Sequence, residues 1–231
     1  MFPTMPIGFV KKKSAGGLQF IASDGIIFSA TLNDLAVTIP GAVEQADILL
    51  AFAYQTIPSG NTGGITGPSS GGWTTLGEFT HADTNSKAEI FYKAAGPSEP
   101  NFNMQFAETI FLGDNRHQAG LLAFRSAGTP VSQSQTDGSS VQFPTESFTE
   151  PATTSFEVIL IGAEDGLTEV TINSVTPGSF ATLVNSFTDH GDFPGLAVGW
   201  RENTDSGAAT MTVSLNTASD VIRYRVRVPE A

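Results

Sequence analysis

The sequence predicts an all-β protein: an antiparallel two-sheet sandwich of jelly-roll type, built from two similar halves. Two observations predict this fold class. Apolar side chains recur with the period of two that places them on one face of a strand, and no 11-residue window keeps a helical stripe without an interrupting Gly or Pro. Segments rich in Gly, Pro, Ser, Thr and Asn separate about a dozen apolar runs at the spacing typical of sandwiches.

The N-terminal segment, residues 1–17, is predicted to be an arm that docks on another subunit or on a larger assembly. A free tail is usually polar, whereas this segment begins with apolar residues up to Val10 and continues with three lysines. A frayed terminus is the alternative interpretation. The basic residues follow the apolar ones, the reverse of a signal peptide, so we expect no export signal here. The residues assigned to the docking surface are Phe2, Met5, Ile7, Phe9, Val10, Lys11, Lys12 and Lys13.

The strands of the first half follow the arm. The run Asp47–Tyr54 is apolar on both faces, which is typical of a central strand, and Gly120–Arg125 resembles it. A turn-rich stretch, 60–72, is predicted to be the longest loop and leads to a strand over Trp73–Phe79. The segments Ala88–Ala94 and Asn101–Phe106 complete this half.

The second half repeats this order, with strands predicted at Phe156–Gly162, Phe180–Phe187, Gly195–Arg201, Ala208–Leu215 and Asp220–Val228. Two short strings are alike: Gly72-Trp73-Thr74-Thr75-Leu76 and Gly178-Ser179-Phe180-Ala181-Thr182-Leu183. Either the halves are duplicates, or all sandwich halves look alike. The polar stretch 126–155 is predicted to cross between halves of about 18–128 and 150–231, within one domain spanning 18–231.

Charge and composition exclude several functions. The net charge is −12, and six of the 11 basic residues lie at 11–13 and at Arg223, Arg225 and Arg227, which leaves five for residues 14–222. Such a surface repels phosphates, so we expect no nucleic-acid binding. There is no cysteine, and therefore no disulfide, thiolate metal site or thiol nucleophile. No apolar run reaches the roughly 18–20 residues of a membrane helix, so no membrane association is expected.

No motif of catalysis or cofactor binding is present. The chain has no Gly-x-Ser-x-Gly elbow, no phosphate-binding loop and no dinucleotide fingerprint. The histidines His81, His117 and His190 share no ligand spacing. The acidic turns 164–166 and 189–192 lack the spacing of a calcium loop, so we interpret them as solvated turns. The sequence therefore predicts a protein that is not an enzyme, with no catalytic residue, cofactor or metal.

Two sets of residues have both a structural and a functional interpretation. Trp73 and Trp200 either plug the core or form a platform that stacks on a sugar. Arg223, Arg225 and Arg227 alternate along one strand and therefore share a face. They either meet acidic partners on neighbouring strands or form an assembly interface with an acidic subunit. Charge reversal of all three arginines tests the second interpretation.

Three stretches together resemble a β-sandwich module of tailed-phage virion proteins and some bacterial surface proteins. They are Ala46-Asp47-Ile48-Leu49-Leu50-Ala51-Phe52, Gly72-Trp73-Thr74-Thr75-Leu76 and Ala88 to Pro100, closed by Ala119-Gly120-Leu121-Leu122-Ala123-Phe124-Arg125. The resemblance covers about 80 residues well, and 150–228 agree loosely. The chain departs from the pattern at Ala46, where Gly is usual, and at Gly71, where a direct Pro-x-Gly-Trp link is expected. The pattern carries no catalytic residues.

The resemblance implies a virion structural protein. The absence of heptads and collagen-like repeats in a short chain favours a head decoration, cement or head-attached protein over a long tail fibre. We expect a homo-oligomer whose partners are capsid or tail subunits. The alternative is a tail-tip or receptor-binding module that recognises host surface glycans through loops near Trp73, His81 or Trp200.

Overall fold

The computed structural model describes residues 17–29, 33–57, 62–81, 86–109, 116–139, 146–150, 153–163, 170–175, 181–185, 195–203, 207–215 and 220–231. The ordered elements in these ranges are all strands. In the first half they are β1 (Gln19–Ser29), β2 (Asp34–Val37), β3 (Ile48–Thr56), β4 (Thr62–Pro68), β5 (Thr74–Thr80), β6 (Lys87–Ala94), β7 (Phe102–Thr109) and β8 (Arg116–Arg125). In the second half they are β9 (Val131–Ser139), β10 (Glu146–Glu150), β11 (Ser155–Ala163), β12 (Val170–Val175), β13 (Ala181–Asn185), β14 (Gly195–Asn203), β15 (Gly207–Leu215) and β16 (Asp220–Pro229).

The strand order is the same in both halves. The first large sheet runs β1-β8-β3-β6-β5 and the first small sheet β2-β7-β4. Adding eight to each strand number gives the second large sheet, β9-β16-β11-β14-β13, and the second small sheet, β10-β15-β12. Every pairing between these strands is antiparallel. The all-β fold class and the two similar halves are thereby confirmed, and each half pairs its strands in the manner of a jelly roll.

Two apolar cores lie on opposite faces of the first large sheet. On β3, Leu49, Ala51 and Ala53 contact the first small sheet; we call this cluster the first-half core. The other face of β3 carries Ile48, Leu50, Phe52 and Tyr54. These side chains pack against the second large sheet and form the inter-half core. Because both faces of β3 are covered, the whole strand is buried, which explains its unbroken apolar run.

The two halves pack against each other about an approximate twofold axis, which runs through the inter-half core. Strand β1 contacts β13, and the equivalent pair β9 and β5 is also in contact. The axis passes close to Tyr54. In the first half, Tyr92 of β6 pairs with Thr74 on one side and with Leu50 on the other. In the second half, Trp200 of β14 pairs with Ala181 and with Val158 in the same way. The register therefore matches Leu50 to Val158. Tyr54 then corresponds to Gly162, and its ring packs directly on that glycine.

Two predicted loops contain strands. Within the predicted 60–72 loop, β4 pairs with the edge of β7. Two of the glycines that suggested a loop lie in close packing. A Cβ at Gly63 would lie 3.0 Å from Gln55 Nε2, and one at Gly67, where φ is +101°, would lie 3.2 Å from Phe91. The predicted crossover at 126–155 was also wrong, because it contains β9 and β10. These strands open the second half, which therefore begins near Val131 and not near residue 150.

A bidentate ion pair closes the entry to β3. Asp47 accepts hydrogen bonds from Arg125 Nε at 3.0 Å and Nη2 at 2.9 Å, and it also accepts from the backbone N–H of Glu44 at 2.8 Å. The residue before it, Ala46, has a φ of +72°. Glycine adopts this left-handed conformation without the steric penalty that a Cβ brings.

Candidate functional site

The predicted docking arm lies outside the described residues, which begin at Gly17. Of the predicted assembly interface, the structure describes the three arginines of β16. They share a face, as the alternation predicts, and that face points away from the inter-half core. The core receives the other face of β16, which carries Ile222, Tyr224, Val226 and Val228. Arg223 and Arg225 are only 3% and 6% exposed. Arg227 is half-buried.

Glu157 on β11 is the acidic partner of this row. One carboxylate oxygen accepts from Arg225 Nη1 at 2.7 Å, and the other accepts from Arg201 Nη2 at 2.9 Å. The Glu157 side chain is 2% exposed, and the two arginine side chains are 7% and 5% exposed. Burial, reinforced by the nearby charge of Arg225, lowers the pKa of Arg201. For Arg225 the structure therefore favours the cross-strand interpretation over an open interface.

The row of arginines on β16 has no counterpart in the first half. The register that matches Leu50 to Val158 places Glu157 at the position of Leu49, and Arg225 at the position of Leu121. Where β16 carries Arg223, Arg225 and Arg227, β8 carries the buried Ala119, Leu121 and Ala123. We call this face of the second large sheet, with Ser155, Glu157, Arg201, Asn203 and the three arginines of β16, the arginine face.

The Ser155 hydroxyl and Arg227 Nε, both on the arginine face, have no hydrogen-bond partner. The Ser155 hydroxyl is fully buried, and no donor or acceptor lies within bonding distance. Arg227 Nε is shielded from solvent and likewise has no acceptor. Arg227 lies directly across from Glu157 in the strand register, but both carboxylate oxygens of Glu157 are taken by Arg201 and Arg225.

Neither tryptophan forms an open platform. Trp200 is 7% exposed and stacks on Phe20 with ring centroids 4.3 Å apart, inside the inter-half core. Trp73 is half-buried at the edge of the first-half core. It packs on Phe102 at 4.9 Å and lies 5.4 Å from Lys93 Nζ. Its Nε1 donates to Ser70 Oγ at 2.9 Å. Trp200 thus has the structural role of a core residue.

The histidines are not gathered into a metal site in the part of the chain that the structure describes. His81 and His117 are buried, and His190 lies outside that part. His117 Nε2 lies 3.0 Å from Gln55 Nε2, and its ring stacks on Phe106 at 4.4 Å. Among the described residues there is no group of three or more His, Asp or Glu side chains placed to hold a metal ion.

Sequence reasoning missed Glu89, a buried carboxylate on β6. Burial, reinforced by Glu78 directly across on β5 and opposed by Lys87, raises the pKa of Glu89 to about 7. Sequence reasoning also missed Glu157, because a single Glu inside an apolar run forms no recognisable motif. The available signal was the alternation itself. Arginines at every second position require a counter-charge, and Glu157 is the acidic residue within β11, the neighbouring strand.

Comparison with protein-family models, with characterised proteins and with solved structures finds no match to this chain. In the described ranges, no helix is long and apolar enough to cross a membrane.

Proposed function

We propose that this chain is a non-enzymatic structural protein of a tailed-phage virion, a head decoration, cement or head-attached protein. The observation that carries the proposal is the inter-half core, which joins two jelly-roll halves into one block. Strands from both large sheets contribute to it, including Phe52, Phe124, Phe156 and Trp200. A block with a continuous core resists deformation, as a particle component must.

The surface of the block supports attachment through the N-terminal segment. Among the residues whose side chains the structure describes, Val131 is the exposed large apolar one. A stable attachment requires an apolar contact, and we assign it to the segment from Phe2 to Val10 because that segment is apolar. Lys11 to Lys13 add the charge that would pair with an acidic subunit. The acidic exterior keeps the protein soluble and away from packaged DNA.

The test is the location of the chain in purified particles. We expect mass spectrometry to detect it at a constant ratio to the major subunit, and deletion of residues 2–17 to abolish attachment without unfolding the block. Particles that retain the shortened protein would count against the docking arm. Charge reversal at Arg227, the half-buried member of the row, tests whether the interface extends to β16.

A second candidate function is recognition of host surface glycans by a tail-tip module. The Ser155 hydroxyl and Arg227 Nε favour it, because both are hydrogen-bond donors without an acceptor. The burial of Trp200 weighs against sugar stacking at that residue. Binding of the purified chain to a glycan array, at a defined saccharide, would favour this function over pure decoration.

A further inference from the structure

Two carboxylates lie directly across from each other on the paired strands β5 and β6, those of Glu78 and Glu89. Glu89 is 8% exposed, whereas Glu78 is exposed to solvent. Like charges at directly opposite positions of neighbouring strands destabilise the pairing, and they repel more strongly where one of them is shielded from water. The pairing of β5 with β6 is therefore most stable while Glu89 carries a proton.

The lysines on the same face of β6 have other partners. Lys87 Nζ donates to the backbone carbonyl of Gly63 on β4 at 3.1 Å. Lys93 Nζ lies 2.6 Å from a carboxylate oxygen of Glu99. The charge of Lys87 opposes the effect of burial without cancelling it, because the pKa of Glu89 remains raised, to about 7.

The neighbouring elements add no lysine or arginine to this face in the part of the chain that the structure describes. Strand β3 contributes Ala53, directly across from Glu89, and Gln55, whose Nε2 lies 3.0 Å from His117 Nε2. Strand β4 contains no ionisable residue. An ionised Glu89 thus faces Glu78 without a carboxylate-binding cation of its own.

The connections that follow β3, β5 and β7 are also without lysine and arginine in the sequence; they are residues 57–61, 81–86 and 110–115. Their acidic residues are Asp83 and Asp114. The histidine among them, His81, is buried at the end of β5, where its backbone N–H donates to the carbonyl of Ser86.

Strand β5 is the edge strand of its sheet, hydrogen-bonded in the described structure to β6 on one side. A bulge between Thr75 and Gly77 interrupts this ladder next to Glu78. On the opposite face of β5, Leu76 and Phe79 pack against the inter-half core, and the strand contacts β9 of the second half. An edge strand with a single, interrupted ladder separates from its sheet more readily than a central strand does.

The fold does not require this pair of acids. Ala197 precedes Trp200 by three residues, as Glu89 precedes the equivalent Tyr92, and Ala197 pairs with Asn185. Ala197 is fully buried. A small apolar residue is therefore accommodated at this position, and the opposed carboxylates are a feature that the first half has in addition to the shared fold.

We propose that Glu78 and Glu89 form a pH-sensitive latch on the edge strand: when Glu89 ionises, β5 separates from β6 and uncovers Leu76 and Phe79. The closed edge holds the Glu89 proton with a pKa of about 7, and the open edge with a pKa nearer the ordinary 4.5. The closed form therefore loses stability relative to the open form as pH rises from about 4.5 to about 7, and it is least stable above that range. The latch does not depend on the proposed virion role, because strand opening and particle location are measured separately.

The experiment is hydrogen exchange of the full chain, followed by NMR at about pH 5.5 and about pH 8. Protection is expressed relative to an unstructured peptide at the same pH, which removes the intrinsic effect of pH on exchange. We expect the protection of the β5 amides to fall about tenfold or more between the two conditions, and to stay below that of the central strand β3 at both.

Three variants locate the proton. Glu89→Gln should abolish the fall in protection, and Glu78→Gln, which removes the opposed charge, should move its midpoint to lower pH. Glu202→Gln, at an exposed position on β14, is the matched control and should leave the fall unchanged. Glu89→Gln removes a buried charge and is expected to fold.

A protection of β5 that is independent of pH, or a fall that persists in Glu89→Gln, overturns the proposal. Equal protection of β5 and β3 at both conditions also overturns it, because exchange would then report unfolding of the whole chain and not opening of the edge. A midpoint that Glu78→Gln leaves unmoved would show that the two carboxylates do not act as a pair, which contradicts the latch.

Discussion

Ala46 adopts a backbone conformation that favours glycine, with a φ of +72°. An L-residue in this conformation costs about 1 to 2 kcal/mol of strain, which glycine would relieve. Glycine also gives the unfolded chain more conformational freedom, and this offsets part of the gain in stability. We therefore expect Ala46→Gly to raise the free energy of unfolding by about 0.5 to 1 kcal/mol in urea denaturation. Ala36→Gly, at an exposed position in β2, is the matched control and should lower it by about as much.

Glu89 makes stability depend on pH near neutrality. Its pKa is raised to about 7 in the folded protein, so between the unfolded value near 4.5 and about 7 the native state binds more protons than the unfolded state. Stability therefore falls as pH rises through this window and is lowest above about 7. Glu89→Gln should flatten the dependence and stabilise the protein at pH 8 by about 1 to 3 kcal/mol. The exposed Glu202→Gln should leave the dependence intact.

Glu157 compensates two buried guanidinium groups. Glu157→Gln would leave Arg201 and Arg225 without their carboxylate, and we expect a loss of about 3 to 5 kcal/mol in the free energy of unfolding. The exposed Glu202 on neighbouring β14 is again the control, since its change to Gln should cost less than about 0.5 kcal/mol. A small effect of Glu157→Gln would show that the ion pairs do not hold the arginine face together.

At the scale of the elements, strand type could be read from the sequence wherever burial was uniform. The run from Ile48 to Tyr54 and that from Phe156 to Ile161 were predicted as central strands, and both are at the centres of their large sheets. The echo between Trp73 and Phe180 was also a true guide to equivalent strands, β5 and β13. For β3 the local pattern was sufficient because both faces of the strand meet apolar neighbours.

The same reasoning failed where local pattern and pairing disagree. Strand β4 contains two adjacent glycines and a terminal proline, the composition of a loop, and is a strand because β7 offers a free edge. Strand β9 is polar throughout the stretch Ser132–Ser139 and pairs with β16. Neither partner can be identified from local sequence. Likewise, the Ser155–Arg227 juxtaposition depends on a register between strands about 70 residues apart.

The contact of β3 with β11 depends on Gly162. A Cβ at this position would lie 2.5 Å from two ring atoms of Tyr54, which is 1% exposed and cannot move into solvent. We expect Gly162→Ala to destabilise the protein by about 1 to 3 kcal/mol. Gly71→Ala, where an added Cβ meets nothing within 4 Å, is the matched control and should change stability little. Equal effects of the two changes would mean that the halves are not tightly packed at this point.

At the scale of the whole molecule, the inter-half core makes the two halves one cooperative unit. Neither half can bury residues such as Leu50, Phe124 or Val226 by itself. Each half carries a duplicate of the same strand order, and the approximate twofold axis between them is the symmetry of a homodimer. A fused dimer of this kind could diverge in one half alone, as the arginine face has done, while the shared core keeps both halves folded.

The most direct test of this central claim is scanning calorimetry of the full chain. Because the core is shared, we predict one unfolding transition whose calorimetric enthalpy equals its van't Hoff enthalpy, and Gly162→Ala should lower its midpoint without splitting it. Two separate transitions, or a van't Hoff enthalpy near half of the calorimetric value, would contradict a single block and with it the structural basis of the proposed virion role.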